Sequence, residues 1–288
     1  MVKTTTNQNN PLTRFMRQPK IYITLPSGGK YWPVGSIEIP ENGQLPVFSM
    51  TAKDEIVMKT PDALLNGQSV VDVIQSCVPN IKNAWNCPSI DLDMLLVAIR
   101  IATYGEKMTV SYKIPNTVEE GDYEIELHSF IDQISNAQWI EQVPVTDELV
   151  MFVKPLTYKH MTTISQKSFE TNKMMQIAGD ESLSDDQKAA YIQKSFQTLT
   201  DLTTEMLVSS IFKIKTFDED VTETRYIKEF IENADKSIID SIQKHLNELK
   251  EQNQLKPVTL STTPLQQEAG APETFEVPIN FDQSNFFA

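Results

Sequence analysis

Cysteine is nearly absent from this 288-residue chain: Cys77 and Cys87 are its two. A secreted disulfide scaffold needs more, and a zinc centre needs further soft ligands close by. Histidine is as sparse, with His128, His160 and His245 standing singly. No stretch approaches the about 18 apolar residues of a membrane span. The polar start Met1–Asn10 lacks the charged-then-apolar order of a secretory leader. These absences point to a soluble intracellular protein. Basic charge is also short: 25 Lys and Arg against 39 Asp and Glu leave a net charge of −14. Such a chain repels phosphate backbones, and beyond Arg14, Arg17 and Lys20 no basic cluster offsets this, so nucleic-acid binding is not expected. What the chain does have is 40% apolar residues at a mean hydropathy of −0.30, enough for a sizeable core.

Chemistry-bearing patterns fail one by one. Gly28-Gly29-Lys30 invites a phosphate-loop reading, but the spacing is wrong and Tyr31 stands where Ser or Thr is required, so a glycine turn is expected. Asp91-x-Asp93 heads an apolar-striped segment, where Asp91 is expected to cap a helix rather than hold a cation. Asp180-Glu181 and Asp185-Asp186 lack the alternating ligands and glycine of a calcium loop. Neither a Gly-x-Ser-x-Gly elbow nor His-Glu-x-x-His occurs. Carboxylates abound in so acidic a chain, so their presence carries no glycosidase argument. No catalytic residue, metal site or cofactor is expected.

The expected fold class is α+β, in four stretches. Residues 1–19 read as a flexible arm, and 20–157 as an α+β domain with an antiparallel sheet. Within it, a strand over Ile21–Leu25 is followed by another at Ile37–Ile39, which turns at Asn42-Gly43 to pair with Val47–Met50. Ser69 is expected to cap a helix carrying Val70, Val73, Ile74, Cys77 and Val78, stopped by Pro79. A second helix buries Leu92, Leu95, Leu96, Ile99 and Ala102 and ends at Gly105. Period-two patterns over 108–113, 123–128 and 149–154 predict three strands of one sheet, the last buried on both faces, with His128 on an exposed strand face.

Residues 158–255 read as a helical domain, a small bundle or an extended hairpin. Its first helix breaks at Gly179-Asp180-Glu181. Ser184 and Gln187 box the next, which runs to about Phe212 with Ile192, Phe196, Leu199, Leu202, Met206 and Ile211 on one face. Asp220 with Glu223 suggests a cap for a third, from Tyr226 to Leu249. Residues 256–288 read as a linker and a docking tail. In the tail, Phe275, Val277, Ile279 and Phe281 alternate with polar residues, and Phe286-Phe287 follow. Pro278 limits that strand to an edge or an added position, docked on this chain's own body or on a partner. Tyr31 and Trp32 are further candidate partner anchors, against the simpler reading that they pack over the small sheet.

Three segments taken together resemble the T4-type bacteriophage baseplate protein family, which includes the baseplate hub assembly protein. They are Leu25-Pro26-Ser27-Gly28-Gly29-Lys30-Tyr31-Trp32; Leu64-Leu65-Asn66-Gly67 with the following helix and Pro79-Asn80-Ile81; and Asp91–Arg100 with Thr103-Tyr104-Gly105. The resemblance covers roughly residues 20–113, and the ending Asp282–Ala288 shares it more weakly, whereas 158–255 lies outside it. It implies a late, non-enzymatic protein with a role in building a contractile phage tail baseplate around its hub, in the host bacterial cytoplasm during assembly, whether as a virion structural protein or as an assembly factor. The partners implied are other tail proteins, with no nucleic acid and no membrane, and a homo-oligomer is allowed. The alternatives are a transient assembly chaperone for another tail protein and, from a different class, a tail-borne cell-wall hydrolase.

Overall fold

The computed structural model describes residues 11–60, 66–146, 148–179 and 183–278. Residues 1–10, Asp180-Glu181, and the tail positions Ile279, Phe281, Phe286 and Phe287 fall outside them. The fold is α+β, with helices alternating with small antiparallel sheets.

The first sheet pairs β1 (Pro19–Ile23) with β2 (Leu45–Phe48), Ile23 lying opposite Leu45. This replaces the expected pairing of 37–39 with 47–50: Ile37 makes only an isolated bridge to Ile81. Asn42-Gly43 does form a turn, with Gly43 at φ 72° and its N–H on the Pro40 carbonyl. The arm is not free up to residue 19 either. Arg17 donates to the Ser49 carbonyl at 2.7 Å and to the Ser76 carbonyl at 2.6 Å, and lies 3.5 Å from Asp54.

α1 (Ala52–Met58), α2 (Gln68–Cys77) and α3 (Ser89–Tyr104) follow. Gly67, at φ 76°, caps α2 in place of Ser69, whose hydroxyl is buried. Any Cβ on Gly67 would sit 3.0 Å from Tyr158 Oη and Thr162, so this turn requires both the glycine's conformation and its size. α3 is buried nearly all round, including Met94, Leu95, Val97, Ala98, Ile99 and Ile101, as the central helix of a core must be. Its N-cap is Pro88, not Asp91, and Gly105 ends it as expected.

The hairpin β3 (Lys107–Lys113) and β4 (Glu120–Glu126) pairs Met108 with Ile125, both buried. It leads into α4 (His128–Ser135), which places His128 at a helix start rather than on a strand. β3–β4 is a separate sheet from β5 (Gln142–Thr146) and β6 (Leu149–Val153), so the single sheet expected over 108–154 is two. β6 is flanked on both sides in a four-stranded sheet of order β5-β6-β7-β8. Its side chains are not all buried: Met151 and Val153 are, while Val150 and Phe152 are half-exposed.

α5 (Tyr158–Ala178) and α6 (Asp185–Ser210) form a helical hairpin, α6 opening on the Ser184–Gln187 capping box. α6 stops at Ser210, and Ile211–Lys215 is strand β7, drawn out of the expected helix by pairing with β6, where Met151 faces Ile214. Asp220 belongs to β8 (Asp220–Val221) and caps nothing. The expected third helix is two, α7 (Thr224–Asn233) and α8 (Lys236–Asn253), separated where Asp235 accepts from Ser237 N–H. α7 and α8 bury Ile227, Ile231, Ile242 and Leu249 in one cluster with the sheet, so this part is not a free-standing bundle. The stretch read as linker contains β9 (Val258–Ser261) and α9 (Pro264–Glu268), and β10 (Thr274–Val277) pairs back on β9.

Two apolar clusters result. One gathers β1–β4 and α1–α4, with Leu255 and Val258 returning to it; the other lies between the four-stranded sheet and α6–α8.

Candidate functional site

The segment after β1 is a heavily braced loop. Ser27, Gly28 and Gly29 make a tight turn: Gly28 N–H bonds the Leu25 carbonyl at 2.9 Å and Lys30 N–H the Ser27 carbonyl at 3.1 Å. Gly28 and Gly29 hold φ of 59° and 87°, and a Cβ on Gly29 would collide with Ile39 Cδ1. Both glycines are therefore structural, and no phosphate cradle is needed to explain them.

Asp91 reads this turn from below. Its carboxylate is fully buried in the first turn of α3. It accepts from Ser27 N–H at 2.9 Å, from the Ser27 hydroxyl, and from Trp32 Nε1–H at 2.8 Å. Burial raises its pKa above the usual carboxylate value, while the Ser27 and Trp32 bonds pull it back down. Asp93, one turn position on, has no such donors, and burial alone pushes it up to about 6.

On its other side the loop reaches the second cluster. Tyr31 Oη donates to Glu141 at 2.9 Å, and Lys30 Nζ lies 2.7 Å from the same carboxylate, just before β5. Burial and the Glu141 bond both raise the Tyr31 phenol's pKa, keeping it protonated. Further along, Ser36 O accepts from Lys82 and Asn83 N–H, and Glu38 and Asn80 exchange two bonds. Between these braces Pro33-Val34-Gly35 stands in solvent, Val34 wholly exposed. The arrangement is a braced loop presenting an apolar tip.

The sequence candidates divide accordingly. Trp32 is buried with its indole on Asp91, as the packing reading had it, and Tyr31 is half-buried on Glu141. Val277 is buried and Phe275 packs edge-on to Tyr123 at 5.6 Å between centroids, while Tyr112 Oη donates to the Pro278 carbonyl. The described part of the tail thus docks on this chain's own body. Asp91 as an acceptor, Glu141 and Arg17 were missed. The Asp91 partners lie 64 and 59 residues away, so no local pattern reveals them.

Elsewhere the titratable groups are dispersed. Among the described residues, no group of three His, Cys, Asp or Glu is placed to hold a metal ion. Cys77 and Cys87 are buried and free, and burial pushes the Cys77 thiol up to about 12. His160 caps with Thr157, His128 lies beside Glu106, and His245 meets the Ile140 carbonyl. Two clefts, of about 440 and 290 Å³, are lined mainly by carboxamides such as Gln133, Asn136 and Gln138 in one and Asn66, Asn83 and Asn86 in the other. No helix among the described residues is long and apolar enough to cross a membrane.

The described residues of the segments that carry the family resemblance come together: Ser27 and Trp32 bond Asp91, and Leu25, Val70, Ile74, Ile81 and Leu95 share one apolar cluster. No curated protein and no solved structure matches the chain. A family model described as T4 bacteriophage base plate protein matches residues 16–263, most of the chain and well beyond the three segments that carry the resemblance. The chain belongs to the T4 bacteriophage base plate protein family.

Proposed function

We propose that this protein is a non-enzymatic component of the hub region of a contractile-tail baseplate, acting in tail assembly through protein–protein contacts. The family match places it among baseplate proteins. The observation that carries the finer reading is the braced loop: bonds to the buried Asp91 and to Glu141 flank and hold the wholly exposed Val34 tip. A fixed apolar tip loses little entropy on docking. Assembly then takes place in the host bacterial cytoplasm, consistent with two free thiols.

Quantitative mass spectrometry of purified mature tails beside infected-cell lysate tests this. Stoichiometric peptides in the tails are expected. Abundance in lysate with absence from tails would instead make the protein a transient chaperone for another tail protein, the second reading. That reading draws on the exposed apolar residues of α6, such as Phe196. Turnover of purified peptidoglycan with added metal would overturn the non-enzymatic assignment.

A further inference from the structure

α6 has one face of apolar spacing that the described residues cover only in part. Ala189, Ile192, Phe196, Leu199, Thr203 and Met206 recur at alternating steps of three and four, the spacing of a coiled-coil seam. All six are exposed, Phe196 at 61%. The helix already spends other positions internally: Ser195 and Leu202 are buried, Leu207 joins the second apolar cluster, and Glu205 bonds Lys167 of α5 at 2.8 Å. Lys194 and Asp201 fall on the face opposite the seam by helical spacing. The seam spans about 25 Å of helix, and apolar stripes of that size are not left uncovered on monomers without a reason.

We propose that this seam is a self-association surface on which a second copy of the chain docks antiparallel, α6 against α6, so that two α5–α6 hairpins form a four-helix arrangement. Two features of the seam favour a second copy over a foreign helix. First, beyond Lys188 at the start of the seam, the flanking positions that stay exposed, Gln193 and Thr200, carry no charge, and the others, Ser195, Leu202 and Leu207, are buried in this chain. Heterologous coiled coils write partner choice into charged flanks, whereas an uncharged flank lets two chains of net charge −14 approach without repulsion there. Second, the residue sizes complement one another about a two-fold axis between Gln197 and Thr198. Antiparallel docking sets Ala189 opposite Met206, Ile192 opposite Thr203, and Phe196 opposite Leu199, large on small at the ends and medium on large in the centre. Parallel docking sets Phe196 on Phe196 and Ala189 on Ala189, overfilling one layer and leaving a void in another. The isologous closure stops at two copies. A seam of this length is at the small end of specific interfaces, so the dimer forms in a concentration-dependent way.

Sedimentation velocity of the full chain over a hundredfold concentration range is the test. The expected result is a monomer–dimer equilibrium that the double substitution Phe196→Glu, Leu199→Glu weakens at least about a hundredfold, by burying like charges in the central layer. Phe196 is the more open of the two at 61% exposed, so Phe196→Glu alone is the folding control: its circular dichroism and melting midpoint in dilute solution should match the parent. Register is read by oxidising a mixture of two singly substituted chains, Ala189→Cys and Met206→Cys. Cross-links between the two variants, and none within either, are expected. A chain that stays monomeric, a dimer that survives the double substitution, or cross-links within the Ala189→Cys variant alone would overturn the proposal. So would a seam occupied only by a different tail protein.

Discussion

α3 and α6 are both long helices rich in apolar side chains, and they are used in opposite ways. In α3 the run from Met94 to Ile101 is buried without a gap, and the helix is the axle of the first apolar cluster. In α6, longer at 26 residues, Ile192, Phe196, Leu199 and Met206 are exposed while the small Ser195 is buried. A helical stripe therefore says that a face will be covered, and not whether this chain supplies the cover. The larger apolar cluster is built around α3, and an exposed apolar face lies on α6.

The largest effect that tests this contrast is in the axle. Leu95 is fully buried, so Leu95→Ala should cost about 2–5 kcal/mol through lost transfer energy and an unfilled cavity. A fall in the urea midpoint with an unchanged slope would show it, and a midpoint within error of the parent would mean that α3 is not the centre of stability.

Next comes the brace under the loop. Asp91→Ala leaves the Ser27 and Trp32 N–H donors buried without an acceptor, at about 2–4 kcal/mol together. Limited proteolysis should then cut near residues 27–35 while the rest of the chain resists. Uniform digestion instead would show that Asp91 supports the whole core and not the loop.

A smaller effect should follow pH. Asp93 is held at about 6 by burial, against 3.8 for an ordinary aspartate, so the folded chain binds more protons than the unfolded one between these values. Stability from this group is present below the unfolded value and is lost as pH rises through about 6. Asp93→Asn removes that loss. The variant should match the parent near pH 4 and exceed it at pH 7.5 by on the order of 1–2 kcal/mol. A constant difference across the range would show that Asp93 does not titrate in this window.

The elements legible in the sequence were those written locally. The α3 stripe, the Gly105 stop, the Ser184–Gln187 box and the glycine turn at 28–29 all appear where expected, because each depends on residues within a turn or two. The failures share a cause in distant partners. Ile211 and Phe212 continue the α6 pattern and become strand because β6 is beside them. Val258–Ser261 looked like linker because its partner, β10, lies beyond a further helix. Asp91 looked like a cap because the Ser27 turn that needs it is remote in sequence. The α6 stripe was read in place, but its exposure was not, since periodicity does not record what is packed against a face.

The smallest effect sharpens the comparison most. Leu199→Ala removes the same side-chain atoms as Leu95→Ala from a helix of similar regularity, but Leu199 is 37% exposed and outside both apolar clusters. In dilute solution its cost should stay near about 1 kcal/mol, well below that of Leu95→Ala, because only part of the side chain is covered within the chain. Raising the protein concentration should separate parent from variant, because only the parent then gains the Phe196–Leu199 layer of a second copy. For the parent, the melting midpoint should climb with concentration as mass action favours the associated form. For Leu199→Ala the climb should be shallower, and for Leu95→Ala it should run parallel to the parent from a lower start. Identical slopes in all three would mean that α6 contributes nothing between chains, and a large cost for Leu199→Ala at low concentration would mean that its face is covered from within.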